Sequence, residues 1–152
     1  MEENDIFIHM GHSNFDLDLF QNIVNDRGWV KPRGGLWASP LNANFGWKDW
    51  TAVNDFMQDK YLGSSFKFKL SKNARVLYVD SSEKLIDLPK RENDVFSIKE
   101  FNWVALDFQK LAQEYDAMLV LISNDHKLYW DLYGWDCDTL LVFNPNIVEI
   151  IE

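Results

Sequence analysis

Two short, unbroken apolar runs limit most strongly what this chain can fold into. Ala117-Met118-Leu119-Val120-Leu121-Ile122 is followed by the turn residues Asn124 and Asp125, and Thr139-Leu140-Leu141-Val142-Phe143 by Asn144-Pro145-Asn146. Runs this short cannot cross a bilayer, and between turn signals they read as strands. The remaining segments supply further strands and amphipathic helices to pack on them. The order predicts one α+β domain over 1–152, with a mostly antiparallel split sheet and flanking helices.

Ile6-Phe7-Ile8-His9-Met10 reads as the first strand, ending at Gly11. Ser13 or Asn14 is placed to cap a helix with Leu17, Phe20, Ile23 and Val24 on one face, stopping near Gly28. Gly34 and Gly35 mark a loop before the extended run Leu36-Trp37-Ala38-Ser39, which Pro40 ends. A second helix is expected over about 47–61, with Trp50, Val53 and Met57 on one face and Gly63 closing it. Ser65-Phe66-Lys67-Phe68-Lys69-Leu70 alternates as a strand wet on one side does. With Arg75-Val76-Leu77-Tyr78-Val79 it suggests a hairpin turning near Asn73. Residues 80–102 are polar, with the cluster Lys90-Arg91-Glu92, and read as loop plus short helix. A helix carrying Val104, Phe108, Leu111 and Tyr115 precedes the apolar runs, and Ile147 to Ile151 forms a last strand.

Composition narrows the function classes. The 152 residues are 47% apolar, enough for a core, and 15% aromatic, with seven Trp that suit a core with a wet pocket. A net charge of -9 argues against a phosphate-tracking basic face and against a membrane surface as partner. Lys31-Pro32-Arg33-Gly34-Gly35 is the best local candidate for an anion. Cys137 is the single cysteine, so no intramolecular disulfide and no multi-thiolate metal site is expected. The acidic start Met1-Glu2-Glu3-Asn4-Asp5 lacks a hydrophobic signal core, which points to the cytoplasm. No His-x-x-x-His spacing, nucleophile elbow, Walker loop or dinucleotide glycine fingerprint occurs. No metal is expected.

The chemistry is concentrated around Gly134-Trp135-Asp136-Cys137-Asp138. Side chains two apart on an extended chain share a side, so Asp136 and Asp138 are expected to face one cleft. A solvated turn is the ordinary reading of two such acids. Tyr129, Trp130, Tyr133 and Trp135 crowd the preceding residues and favour a pocket wall. His9 on a buried strand needs a partner, and a structural histidine bonded to backbone is its plainer reading. His12, at the strand mouth, and His126, after a turn, read as surface residues.

In their order these pieces resemble the ADP-ribosyltransferase superfamily, in the branch marked by histidine, tyrosine and glutamate. Ile8-His9-Met10-Gly11-His12-Ser13 is similar to its first-strand His-Gly-Thr turn, with one residue of ambiguity. Gly35-Leu36-Trp37-Ala38-Ser39 resembles Gly-x-Tyr-Phe-Ala, with Trp37 at the tyrosine position. Asp136-Cys137-Asp138-Thr139-Leu140-Leu141-Val142 resembles the late strand headed by the glutamate, with Asp138 in its place. The resemblance spans the chain through short motifs and departs from the pattern at Trp37 and Asp138.

The resemblance implies NAD as substrate and a macromolecular acceptor, first of all a protein. His9 or His12 would hold the dinucleotide, Trp37 would stack on nicotinamide, and Gly35 and Ser39 would line its side. Asp138, or Asp136 if the shorter side chain falls short, would stabilise the oxocarbenium character left on ribose. Two other readings stand beside transfer or NAD hydrolysis. One is an inactive module of the same fold that binds a protein or nucleotide. The other is an RNA-repair phosphotransferase, which ranks third because few basic residues lie near the motifs.

Overall fold

The computed structural model describes residues 5–27, 29–54, 64–91 and 101–151. Strand β6 (Thr139–Val142), buried at every residue, pairs on one side with β5 (Ala117–Val120), also wholly buried, and on the other with β2 (Leu36–Pro40). Beyond β2 lie β1 (Phe7–Met10), β3 (Ser65–Leu70) and β7 (Val148–Ile151); beyond β5 lies β4 (Val76–Val79). The order is β4-β5-β6-β2-β1-β3-β7, antiparallel except for the parallel pair β4–β5. This is a single α+β domain built on one mixed seven-stranded sheet.

Strand alternation divides the core between the two faces. Met118, Val120 and Leu141 point to the face covered by α2 (Phe108–Glu114) and α3 (His126–Asp131), which contribute Phe108, Leu111 and Leu128. Ala38, Leu119, Leu140 and Val142 point to the other, with Phe7, Phe66 and Phe68. Asp116, before β5, gathers the sheet's end. Its backbone carbonyl accepts from Phe143 and Asn144, and its carboxylate from the Arg75 backbone N–H at 2.8 Å and from the Asn144 amide. Burial alone would raise its pKa, but the bonds from Arg75 and Asn144 outweigh that and hold it below the ordinary carboxylate value.

Three expectations are corrected. The helix expected after the first strand is absent: Leu17–Leu19 makes only a 3-10 turn, capped by Asp16. Beyond it the backbone is spent elsewhere. Val24 exchanges bonds with Arg33 at 3.0 and 2.8 Å, and the Gln21 carbonyl accepts the Gly35 N–H. Leu17, Leu19 and Val24 are exposed, and Ile23 alone of the predicted stripe is buried. The hairpin does not form either. β3 pairs with β1 and β7, while β4 crosses to the opposite edge. Third, α1 (Trp47–Val53) buries Thr51 and leaves Val53 exposed, so Val53 does not face the core as expected; Trp50 is half-buried, and Met57 and Gly63 lie outside the described residues. The helix α3 was not foreseen.

The paired loops leave no room for side chains at their glycines. Gly34 has φ +84°, and a Cβ there would sit 2.2 Å from the Asn22 carbonyl oxygen. Gly34→Ala is therefore expected to lower stability by about 3 kcal/mol, from left-handed strain plus a backbone clash, seen as a lower urea midpoint at unchanged slope.

Candidate functional site at the head of the central strand

Asp138 precedes β6 and is held by its backbone. Its N–H donates to the Phe45 carbonyl and its carbonyl accepts the Ser39 hydroxyl, both at 2.8 Å. Ser39 in turn accepts the Trp47 N–H at 2.9 Å, which joins the end of β2, the start of α1 and the head of β6. The Asp138 carboxylate accepts two bonds from one residue: the Ser123 N–H at 2.8 Å and its hydroxyl at 2.7 Å. Though 2% exposed, Asp138 lies on the wall of a pocket of about 320 Å³, with Asn42, Asn44, Asn124 and Tyr78.

Asp136 does not share that pocket. It lines another, of about 330 Å³, with Phe45, Ser123, His126 and Tyr129. The expectation of a common cleft fails because the alternation of an extended chain starts only at Thr139. Before it the chain turns at Gly134, with φ +101°, and the Thr139 hydroxyl bonds back to the Cys137 carbonyl. Of the aromatic cluster, Tyr129 does wall the Asp136 pocket. Trp135 is fully buried between Trp37 and Phe108, and Trp130 and Tyr133 are exposed.

Beside Asp136 lies the basic loop read as an anion site. Lys31 instead turns its amine over two indoles, 4.8 Å from the Trp47 ring centre and 5.1 Å from that of Trp37. Burial pushes the Lys31 pKa down and Asp136 opposes it; burial pushes Asp136 up and Lys31 opposes that. Between the acids, Cys137 is buried and its thiol is pushed up to about 12, chiefly by burial.

His9 donates from Nδ1 to the Trp37 carbonyl at 2.7 Å, since a carbonyl can only accept. This is the backbone-bonded histidine of the plainer reading. Its Nε2, left bare in the neutral ring, then accepts from Nδ1 of His12 at 2.9 Å, a tautomer assigned from the bonding pattern. His12 is exposed and lines a small pocket of about 120 Å³ with Gly35 and Phe66. His126 is also exposed, at the start of α3.

The strand register sorts the predicted residues. Ile8 pairs with Ser39, so His9 falls opposite Ala38, which pairs with Leu140. His9 thus shares the face of Ala38 and Leu140, and Asp138 opens onto that face beside Phe7 and Leu119. Idealised strand spacings put His9 and Asp138 on the order of 12 Å apart at Cα, across three adjacent strands. Trp37 and Ser39 point to the opposite face, with Leu141. His9, Trp37 and Asp138 therefore do not meet in one cleft. Ser39 is buried and spends its hydroxyl on the backbone of Asp138.

Sequence reasoning missed Ser123, Tyr78 and the three asparagines around Asp138. A serine three residues past an apolar strand carries no signal of its own, and the asparagines sit in loops that pattern leaves unplaced. Among the described residues, no three His, Cys, Asp or Glu side chains gather as metal ligands, and no helix is long and apolar enough to cross a membrane. No protein-family model matches the chain, and neither a curated protein nor a solved structure matches it.

Two outcomes are expected. Burial holds His9 below its ordinary value of 6.5, with the His12 charge adding to this and the bond to Trp37 opposing it. Between that lowered pKa and 6.5 the unfolded chain binds more protons, so this contribution shrinks as pH falls through the window. Unfolding titrations from pH 7 to 5 should show the loss, and His9→Gln should flatten that part of the profile. A thiol reagent at pH 8 should leave Cys137 unmodified in the folded protein and react fully in urea; rapid native labelling would contradict the burial.

Proposed function

We propose that this domain is an NAD-using, ADP-ribosyltransferase-like protein of the cytoplasm, transferring ADP-ribose to a protein or nucleic-acid acceptor or hydrolysing NAD. One observation carries the reading: the strand register puts His9 and Asp138 on the same face of the adjacent strands β1, β2 and β6, and Asp138 lines a pocket there. On this reading one ribose lies toward His9 and the nicotinamide ribose sits in the pocket at Asp138. There the carboxylate, oriented by Ser123, meets the positive charge that develops on ribose as nicotinamide leaves. Asn42, Asn44 and Asn124 offer amides to hydroxyls around it. The stacking first given to Trp37 passes to Tyr78, which lines the pocket. A macromolecular acceptor approaches over the exposed 41–44 loop, and the lone buried Cys137 suits a reducing compartment.

A specific observation favours a second reading, a module that binds nucleotide without turnover. Both Asp138 oxygens already accept bonds from Ser123, and Trp37 lies on the far face. Incubation with labelled NAD and cell extract separates the two. Under the first, NAD raises the melting temperature and nicotinamide is released. His9→Ala then weakens binding by about tenfold, and Asp138→Asn cuts turnover by about a hundredfold while binding persists. Binding without release selects the second. With no melting shift, no transfer and no nicotinamide, both are lost.

A further inference from the structure

We propose that the pocket beside Asp136 is a second ligand site, distinct from the Asp138 pocket, for a neutral, flat heteroaromatic ring carrying a hydrogen-bond donor and acceptor on one edge. A nucleobase and a pyridine carboxamide are the two sources of that chemistry. The site shares Ser123 with the NAD reading, but the groups proposed to bind the ring, Asp136 and His126, take no part in that reading.

Size and walls come first. At about 330 Å³ the pocket is at the small end of ligand sites, and Phe45 and Tyr129 are among the residues that line it. Cys137, in the floor, stays a neutral thiol at working pH. Such walls favour the faces of a planar ring.

The polar groups set the edge. Asp136 is half-buried, and among the described residues no donor hydrogen-bonds its carboxylate. Because Asp136 lines the pocket, a ligand N–H can replace the water that solvates its carboxylate. His126 supplies the complement. Its Nε2 accepts the Trp130 indole N–H at 3.0 Å, so in the neutral ring the proton sits on Nδ1, a donor with no partner of its own among the described residues. One acceptor and one donor beside two ring faces match a heteroaromatic amide or amidine edge. Charge adds to this: Lys31, held over the Trp37 and Trp47 rings, offsets the half-buried Asp136, which leaves little net charge to draw an ion to the site.

Adenine and nicotinamide are the probes, titrated into ¹⁵N-labelled protein with the Ser123 and Tyr129 amides as reporters and benzoate and benzylamine as charged controls. Saturable shifts are expected for at least one neutral probe. Affinity should fall at least tenfold in His126→Ala, at an exposed position, and in Asp136→Asn, while His9→Ala leaves it unchanged. Preference for adenine identifies a base site, and preference for nicotinamide a carboxamide site. Circular dichroism of both variants checks their folding. The proposal is overturned if neither probe binds at millimolar concentration, if binding survives both substitutions, or if a charged control binds as well. NAD binding that depends on His9 would persist in that event, so the two readings fail separately.

Discussion

The insertion of β2 between β1 and β6 is the constraint on which the rest depends. Ser39, near the end of β2, donates to the Asp138 backbone and accepts from the Trp47 backbone, so one buried hydroxyl sets where β6 begins and where α1 starts. At the other end of β2 the chain must pass between Leu141 and Ile23 with no room for a Cβ, and Gly35 meets that demand. Each neighbouring element takes its position from a strand of five residues.

The two pockets are tied together through one residue. Ser123 lines the Asp136 pocket while its hydroxyl and N–H hold the Asp138 carboxylate, which faces the other. The two acids, separated by one buried cysteine, live in different surroundings. Asp138 is oriented by two donors. Asp136 answers to burial and to Lys31, whose own amine rests on two indoles. Aromatic rings thus hold a partly buried cation, and that cation and Trp135 cover the Trp37 ring that the motif comparison reserved for a ligand.

Much of the fold was legible. The unbroken apolar runs became the wholly buried β5 and β6, and the alternation of 65–70 became β3 with its lysines outward. Failures came where tertiary bonds competed with local pattern. Leu17, Phe20, Ile23 and Val24 have helical spacing, yet the loop carrying Arg33, Gly34 and Gly35 captures that backbone, and the capture involves residues distant from the pattern. The parallel pairing of β4 with β5 leaves no mark on either strand alone. The site was half legible for a similar reason. His9, Trp37 and Asp138 were chosen by type and order, but which face a side chain takes depends on register, and a shift of one residue moves Trp37 from one side of the sheet to the other.

The register of β2 against β6 also dictates how such a sheet can come into being. The bond between Ser39 and Asp138 closes a loop of 99 residues, and β5 and β6 have no sheet centre to join until it closes. Local turns cannot nucleate this architecture, because its middle is made from its most distant parts. Folding should be slow for a chain of this length and highly cooperative, with the partly made sheet exposing unpaired apolar strands to other molecules in the interval.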